Sequence, residues 1–99
     1  MTDRSDDEKY VKWAKAVKVR DNFKCQICGR DGPTLHSHHL NSWDMFPEQR
    51  YLLENGVTLC NYCHLSFFHR QYGIGSNTKK QFEEFKKITE IIKKSFVKN

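Results

Sequence analysis

The sequence predicts a small α+β domain in which a two-stranded hairpin and a helix form the core, flanked by an N-terminal and a C-terminal helix. The pairs Cys25/Cys28 and Cys60/Cys63 lie beside short segments of strand character. Helical periodicity precedes the first pair and follows the second. The 99 residues are enough for a single domain, 1–99, whose hydrophobic core alone would be marginally stable.

The N-terminal helix is expected to begin near Ser5-Asp6-Asp7-Glu8, where acidic side chains interact favourably with the helix dipole. Apolar residues then recur at helical spacing, while lysines lie mostly on the other side. The apolar positions are Tyr10, Trp13, Ala14 and Val17. This pattern predicts a helix with one buried face just before the first cysteine pair.

The hairpin is predicted from two short segments that a loop separates. After a turn at Gly32-Pro33, residues Thr34 to Leu40 are expected to form the first strand. The segment Asn41 to Gln49 contains a proline and is predicted to be a loop. Val57 to Cys60 follows the turn residues Asn55-Gly56 and is predicted to be the second strand.

Two helices are predicted after the second strand. The first begins around Asn61 and ends near Gly73, which closes a motif core at about 20–73. Gly73 to Asn77 is a linker, and Thr78 is the expected N-cap of a C-terminal helix at about 78–97.

The C-terminal helix is amphipathic in sequence. Its apolar positions are Phe82, Phe85, Ile88, Ile92 and Phe96. Lysines recur every seven residues on the other side, as Lys79/Lys86/Lys93 and Lys80/Lys87/Lys94. The favoured interpretation is a packing helix with a solvated lysine face.

The four cysteines, Cys25, Cys28, Cys60 and Cys63, are expected to bind one structural zinc ion. A two-residue gap lets both sulfurs of a pair face one ion, Gly29 can relax the turn, and four thiolates leave no open position. Two disulfides are the alternative. The start MTDRSDDEKY has no apolar region of a secretory signal, and no apolar stretch is long enough to span a bilayer. We therefore expect a cytoplasmic protein that does not contact membranes.

The net charge of the chain indicates what kind of partner it can bind. There are 17 Lys+Arg against 12 Asp+Glu, a formal net charge of +5. A small, basic, aromatic-rich domain is compatible with a polyanionic partner. The charge alone does not distinguish DNA from RNA.

Three sequence blocks resemble the HNH endonuclease motif of the ββα-metal nuclease superfamily. They are Leu35-His36-Ser37-His38-His39-Leu40, Glu54-Asn55-Gly56-Val57-Thr58-Leu59-Cys60 and Cys63-His64. His39, Asn55 and His64 supply the letters H, N and H. The flanks Arg20 to Cys25, Phe46 to Tyr51 and His69 to Gly73 are also similar to the family, the last to phage-type members. The resemblance covers roughly Val11 to Phe85.

The resemblance implies a role for each motif residue. His38 matches the position that binds a catalytic divalent ion, and His39 matches the general base that activates water. His64 would complete the ion site. Asn55 matches the asparagine that ties down the loop between the strands and helps to orient the base. Adjacent strand residues point to opposite faces, so one can bind an ion while its neighbour reaches a water.

Two further histidines are less well defined by the sequence. His36 lies on the same strand face as His38, and we expect an exposed strand residue there. Relatives often place a third ligand four residues after the helix-opening histidine, a position that Phe68 occupies here. His69 lies one residue later, about 140° from His64 around an ideal helix. An irregular helix would restore it, as a third ligand or as a phosphate contact.

The function that the resemblance implies is metal-dependent hydrolysis of DNA phosphodiesters. Imidazole ligands suit manganese, nickel, cobalt or zinc at least as well as magnesium. The expected partner is DNA, bound mainly through its phosphates, with the lysine face as a second-ranked contact. A phage or prophage origin is expected, with phage packaging proteins as partners. The alternative is a catalytically inactive, zinc-bound module that only binds nucleic acid.

Overall fold

The computed structural model of the chain describes residues 4–97, apart from the side chains of Ser5, Phe96 and Val97. It confirms the predicted fold class, since an antiparallel two-stranded hairpin is surrounded by helices. The side chain of Phe96, an apolar position of the predicted C-terminal helix, lies outside the described residues. The main elements are α1 (Glu8–Arg20), β1 (Leu35–His39), β2 (Gly56–Cys60), a π-helix (Tyr62–His69), α2 (Arg70–Tyr72) and α3 (Lys79–Val97), with short 3-10 turns at Arg4–Asp6, Pro47–Gln49 and Leu53–Asn55.

The first helix, α1, lies across one face of the hairpin. Asp7 caps it, because the Asp7 carboxylate accepts hydrogen bonds from the backbone N–H groups of Lys9 and Tyr10. Trp13 and Val17 are the buried residues of the helix. A Cβ at Gly56 would lie 2.7 Å from Cζ2 of Trp13, so the close approach of helix and strand requires glycine there.

The end of α1 is tied to the hairpin by Arg20 and Asp21. The Arg20 guanidinium donates to both oxygens of the Asp21 carboxylate, at 2.9 Å each. It also donates to the backbone carbonyls of Leu53 and Gly56. Asp21 accepts the N–H of Thr58 at 2.9 Å. Burial opposes ionisation of Asp21, but these hydrogen bonds outweigh it and lower the pKa of Asp21.

The helix predicted from Asn61 to Gly73 has a different local form. Tyr62–His69 is a π-helix, and α2 continues it to Tyr72. In a π-helix each N–H bonds to the carbonyl five residues back, so residues five apart lie on the same side. The wider turn keeps Phe68 fully buried in the core and also places His69 over His64.

The second face of the hairpin packs on this π-helix and on α3. Leu59, Phe68, Phe82 and Phe85 form the centre of this core together with buried cysteines. The predicted N-cap of α3 is confirmed: Thr78 Oγ1 accepts the N–H of Gln81, and Gln81 Oε1 accepts the N–H of Thr78.

The apolar face of α3 is buried only in its first half. Phe82 and Phe85 are 6% and 1% exposed, whereas Ile88 and Ile92 are 36% and 40% exposed. The packing face predicted for the C-terminal helix is therefore buried at Phe82 and Phe85 and partly exposed at Ile88 and Ile92. In residues 4–97, none of the helices combines the length and the apolar character that crossing a membrane requires.

Candidate active site

The four cysteines converge on one point. All four, Cys25, Cys28, Cys60 and Cys63, are free, and their Sγ atoms lie within 4.8 Å of one another. The Sγ atoms of Cys28 and Cys60 are 3.6 Å apart. Sulfurs about 2.3 Å from a tetrahedral zinc ion lie about 3.8 Å from each other, so the cluster is consistent with a zinc site.

The backbone of each cysteine pair favours thiolates. The N–H of Cys28 points to Sγ of Cys25 at 3.5 Å, and the N–H of Cys63 points to Sγ of Cys60 at 3.4 Å. Gly29 has a φ of 79°, which confirms its role in the turn. The hydrogen bond between Cys25 and Cys63 lowers the pKa of Cys25 to about 4 and raises the pKa of Cys63, while burial raises the pKa of Cys28. Thiolates are the form in which cysteine binds metal ions.

A second cluster consists of three imidazoles. One ring nitrogen each of His38, His64 and His69 lies within 4.8 Å of the others, and the Nε2 atoms of His64 and His69 are 3.0 Å apart. Nε2 of His38 is buried and has no hydrogen-bond partner. Nitrogen ligands at about 2.0–2.1 Å from one ion lie about 3.0–3.4 Å apart, so the separation of His64 and His69 suits a shared ion, and the three residues could hold one.

The protonation of these rings suits ligands. Burial, followed by repulsion from neighbouring histidines, lowers the pKa of His38 to about 2 and the pKa of His64 to about 3. Nδ1 of His69 lies 2.9 Å from the carbonyl oxygen of Gly73. A carbonyl only accepts, so Nδ1 of His69 donates, and in the neutral ring Nε2 keeps its lone pair towards the cluster.

His39 lies on the opposite face of β1. Its ring stacks on Trp13, with centroids 3.8 Å apart and planes 10° apart. Its Nε2 lies 2.9 Å from the carbonyl oxygen of Arg50, so Nε2 donates and Nδ1 carries the free lone pair of the neutral ring. Burial lowers the pKa of His39, which keeps the ring neutral and able to accept a proton near pH 7.

Asn55 is 3% exposed and holds the loop that follows β1. Its Oδ1 accepts the N–H of Asn41 at 2.9 Å. Its Nδ2 donates to the carbonyls of Asn41 and Gln49 at 3.0 and 3.1 Å. Gln49 precedes Arg50, so these bonds also fix the carbonyl that orients His39.

His36 differs from its sequence expectation. It is half-buried, and its Nδ1 lies 2.8 Å from Nδ1 of His64. The prediction of an exposed strand residue is wrong because the ring of His36 packs against the ring of His64, with centroids 5.0 Å apart. The alternation of β1 correctly indicated the face of the strand, but it did not indicate this contact.

Both faces of β1 open on one groove of about 780 Å³. The described residues that line it end at Asn77, so none of them belongs to α3. Trp43 lines the groove, and the guanidinium groups of Arg4 and Arg50 each lie 4.6 Å from its ring centroid. The charged and imidazole residues of the groove are Arg4, Lys15, Lys18, His36, His38, His39, Asp44, His64 and His69.

Two residues that contribute to the site, Trp13 and Arg50, could not be identified as functional from the sequence. Trp13 was indicated only as an apolar helix residue, and its hydrogen bond to the carbonyl of Leu52, at 2.8 Å, fixes it beneath His39. Arg50 orients His39 through a backbone oxygen, for which no side-chain pattern gives a signal.

Comparison with known families agrees with the motif. Residues 25–66 match the family model described as HNH endonuclease. The matched segment contains both cysteine pairs, the His38-His39 pair, Asn55 and His64, and it ends before His69. No curated protein and no solved structure matches the chain.

Proposed function

We propose that this chain, whose residues 25–66 match the HNH endonuclease family model, is a metal-dependent DNA endonuclease that hydrolyses phosphodiester bonds. One observation carries the proposal. Two adjacent residues of β1 lie on opposite faces of the strand: His38, with its unpartnered Nε2, belongs to the imidazole cluster, and His39, whose Nε2 is held by the carbonyl of Arg50, lies on the other face. Both residues line the same basic groove.

The base in this proposal is Nδ1 of His39. Nε2 of His39 is held by the Arg50 carbonyl, so Nδ1 is the atom that takes a proton from the attacking water. The imidazolium that forms is stabilised by the same carbonyl and by the face of Trp13, on which the ring stacks. Asn55 acts indirectly in this proposal. Its hydrogen bond to Gln49 fixes the backbone next to Arg50, whose carbonyl holds His39.

The ion ligands in this proposal are His38, His64 and His69. When bound there, a divalent ion polarises the phosphoryl group and stabilises charge on the leaving oxygen. Imidazole ligands suit manganese, nickel, cobalt or zinc at least as well as magnesium, which prefers oxygen. The four cysteines would hold a separate structural zinc ion, which contributes to folding and leaves no open position for chemistry.

The proposed substrate is DNA, bound through its phosphates. The groove carries Arg4, Lys15 and Lys18 around the histidines, while Asp44 is its acidic residue. Contacts of this kind hold the backbone and carry little sequence information, so we expect weak sequence preference. The phage-type flanks further favour a phage or prophage origin, action in the host cytoplasm, and a packaging protein as a partner.

The direct test is a supercoiled-plasmid assay with added Mn²⁺ or Ni²⁺ and with a chelator. The proposal expects nicked or linear product only when the ion is added. A His38→Ala preparation, purified in parallel, controls for contaminating nuclease. DNA binding without cleavage under every metal condition would instead support the inactive binding module and would overturn the proposal.

A further inference from the structure

We propose that His36 is a positioning residue for the ion site. Its Nδ1 accepts a hydrogen bond from Nδ1–H of His64 and thereby fixes the tautomer in which Nε2 of His64 faces His38 and His69. The inference rests on the proposed function, because it assumes that these three histidines bind the catalytic ion.

The two nitrogens of His64 face in different directions. Nδ1 lies 2.8 Å from Nδ1 of His36, and the two rings are inclined at 76°. Nε2 lies 3.0 Å from Nε2 of His69, on the side of the cluster that includes His38. A neutral imidazole that binds an ion through Nε2 carries its proton on Nδ1, and this N–H needs an acceptor.

His69 shows the same arrangement with a different acceptor. Its Nδ1 donates to the carbonyl of Gly73 at 2.9 Å, and Gly73 is held in the left-handed region with a φ of 82°. For Nδ1 of His64, the hydrogen-bond partner within residues 4–97 is His36. Each of these two rings is therefore oriented by a group outside the cluster.

An imidazole acceptor has a consequence for the substrate. Metal-bound histidines commonly donate their second N–H to a carboxylate, which brings negative charge close to the ion. His36 can accept the bond as a neutral ring, with its own proton on Nε2. It orients His64 without adding a negative charge to a groove that must accept phosphate.

Two substitutions distinguish the effect of losing the hydrogen-bond acceptor of His36 from the effect of losing its ring. His36→Phe keeps a planar ring but removes the acceptor, whereas His36→Gln offers a carbonyl oxygen in its place. The dissociation constant for Mn²⁺ is measured on zinc-loaded protein from the EPR signal of free Mn²⁺. We expect His36→Phe to weaken binding by about 10- to 100-fold and His36→Gln to restore most of it. Equal affinity in wild type and His36→Phe would overturn the inference and leave the proposed function standing.

A second measurement needs no variant, which matters if His36→Phe does not fold. Long-range ¹H–¹⁵N correlation spectra of the histidine rings are recorded for wild type with Zn²⁺ at both sites. We expect His64 to be protonated at Nδ1 and shifted by the ion at Nε2, and His36 to be protonated at Nε2 without a metal shift. An ion-shifted nitrogen on His36, or on Nδ1 of His64, contradicts the inference. If no ring shifts and wild type binds no Mn²⁺, the proposed ion site itself fails.

Discussion

Replacing Asn55 with alanine should destabilise the domain, because one buried side chain holds the loop between the strands. The change leaves the N–H and C=O of Asn41 without their partners, while the C=O of Gln49 loses one donor and keeps the N–H of Leu52 at 3.3 Å. A buried group left without a partner costs about 1–3 kcal/mol. The bonds to Asn41 are only partly buried and water can replace them, so the low end applies to each of the two groups, about 2 kcal/mol in all.

Thermal unfolding of zinc-loaded protein measures this cost. In a domain of this size 1 kcal/mol corresponds to about 4–8 °C, so Asn55→Ala should lower Tm by about 8–16 °C. Asn61→Ala is the matched control, because Asn61 is exposed and its side chain makes no capping hydrogen bond. If the two variants melt within a few degrees of each other, Asn55 does not hold the loop.

Cleavage gives a second readout of the same substitution. Asn55 fixes Gln49, and the next residue, Arg50, presents the carbonyl that orients His39. Cleavage by folded Asn55→Ala, assayed well below its Tm, should therefore fall with the ion site intact. Normal cleavage by the folded variant would refute the link between the loop and the base.

Two other predictions concern the cysteine cluster and the groove. Cys63→Ser should release zinc and lower Tm sharply, since a structural zinc contributes on the order of 10 kcal/mol of folding free energy. An unchanged zinc content in this variant would contradict the assignment of the cysteines as zinc ligands. Lys15→Gln with Lys18→Gln should reduce the salt dependence of DNA binding, by up to about 2 in the log–log slope, because these residues line the groove. The pair Lys80→Gln and Lys87→Gln on α3 is the control, and an equal reduction there would favour the lysine face instead.

The fold class was predictable because its signals are local. The turn at Gly32-Pro33, the turn residues before Val57 and the spacing of the cysteines each depend on a few neighbouring residues. The capping of α3 by Thr78 and Gln81 is local as well. Burial along α3 was less predictable, because a periodic apolar face does not show where the core that covers it ends.

The geometry of the site depends on contacts between distant segments. The π-helix places Phe68 in the core and His69 next to His64 at the same time. No local sequence pattern indicates that both contacts must form. The stacking of Trp13 on His39 joins α1 to β1 across 26 positions of sequence. Such contacts are set by packing and leave no period in the sequence.

The central claim is that His39 acts as the base while a neighbouring cluster binds the ion. It is tested most directly by His39→Ala, with Mn²⁺ affinity, DNA affinity and single-turnover cleavage measured on one preparation. We predict a folded protein that binds ion and DNA as wild type does and cleaves at least about 100-fold more slowly. Cleavage close to the wild-type rate, or loss of the ion together with cleavage, would contradict the account.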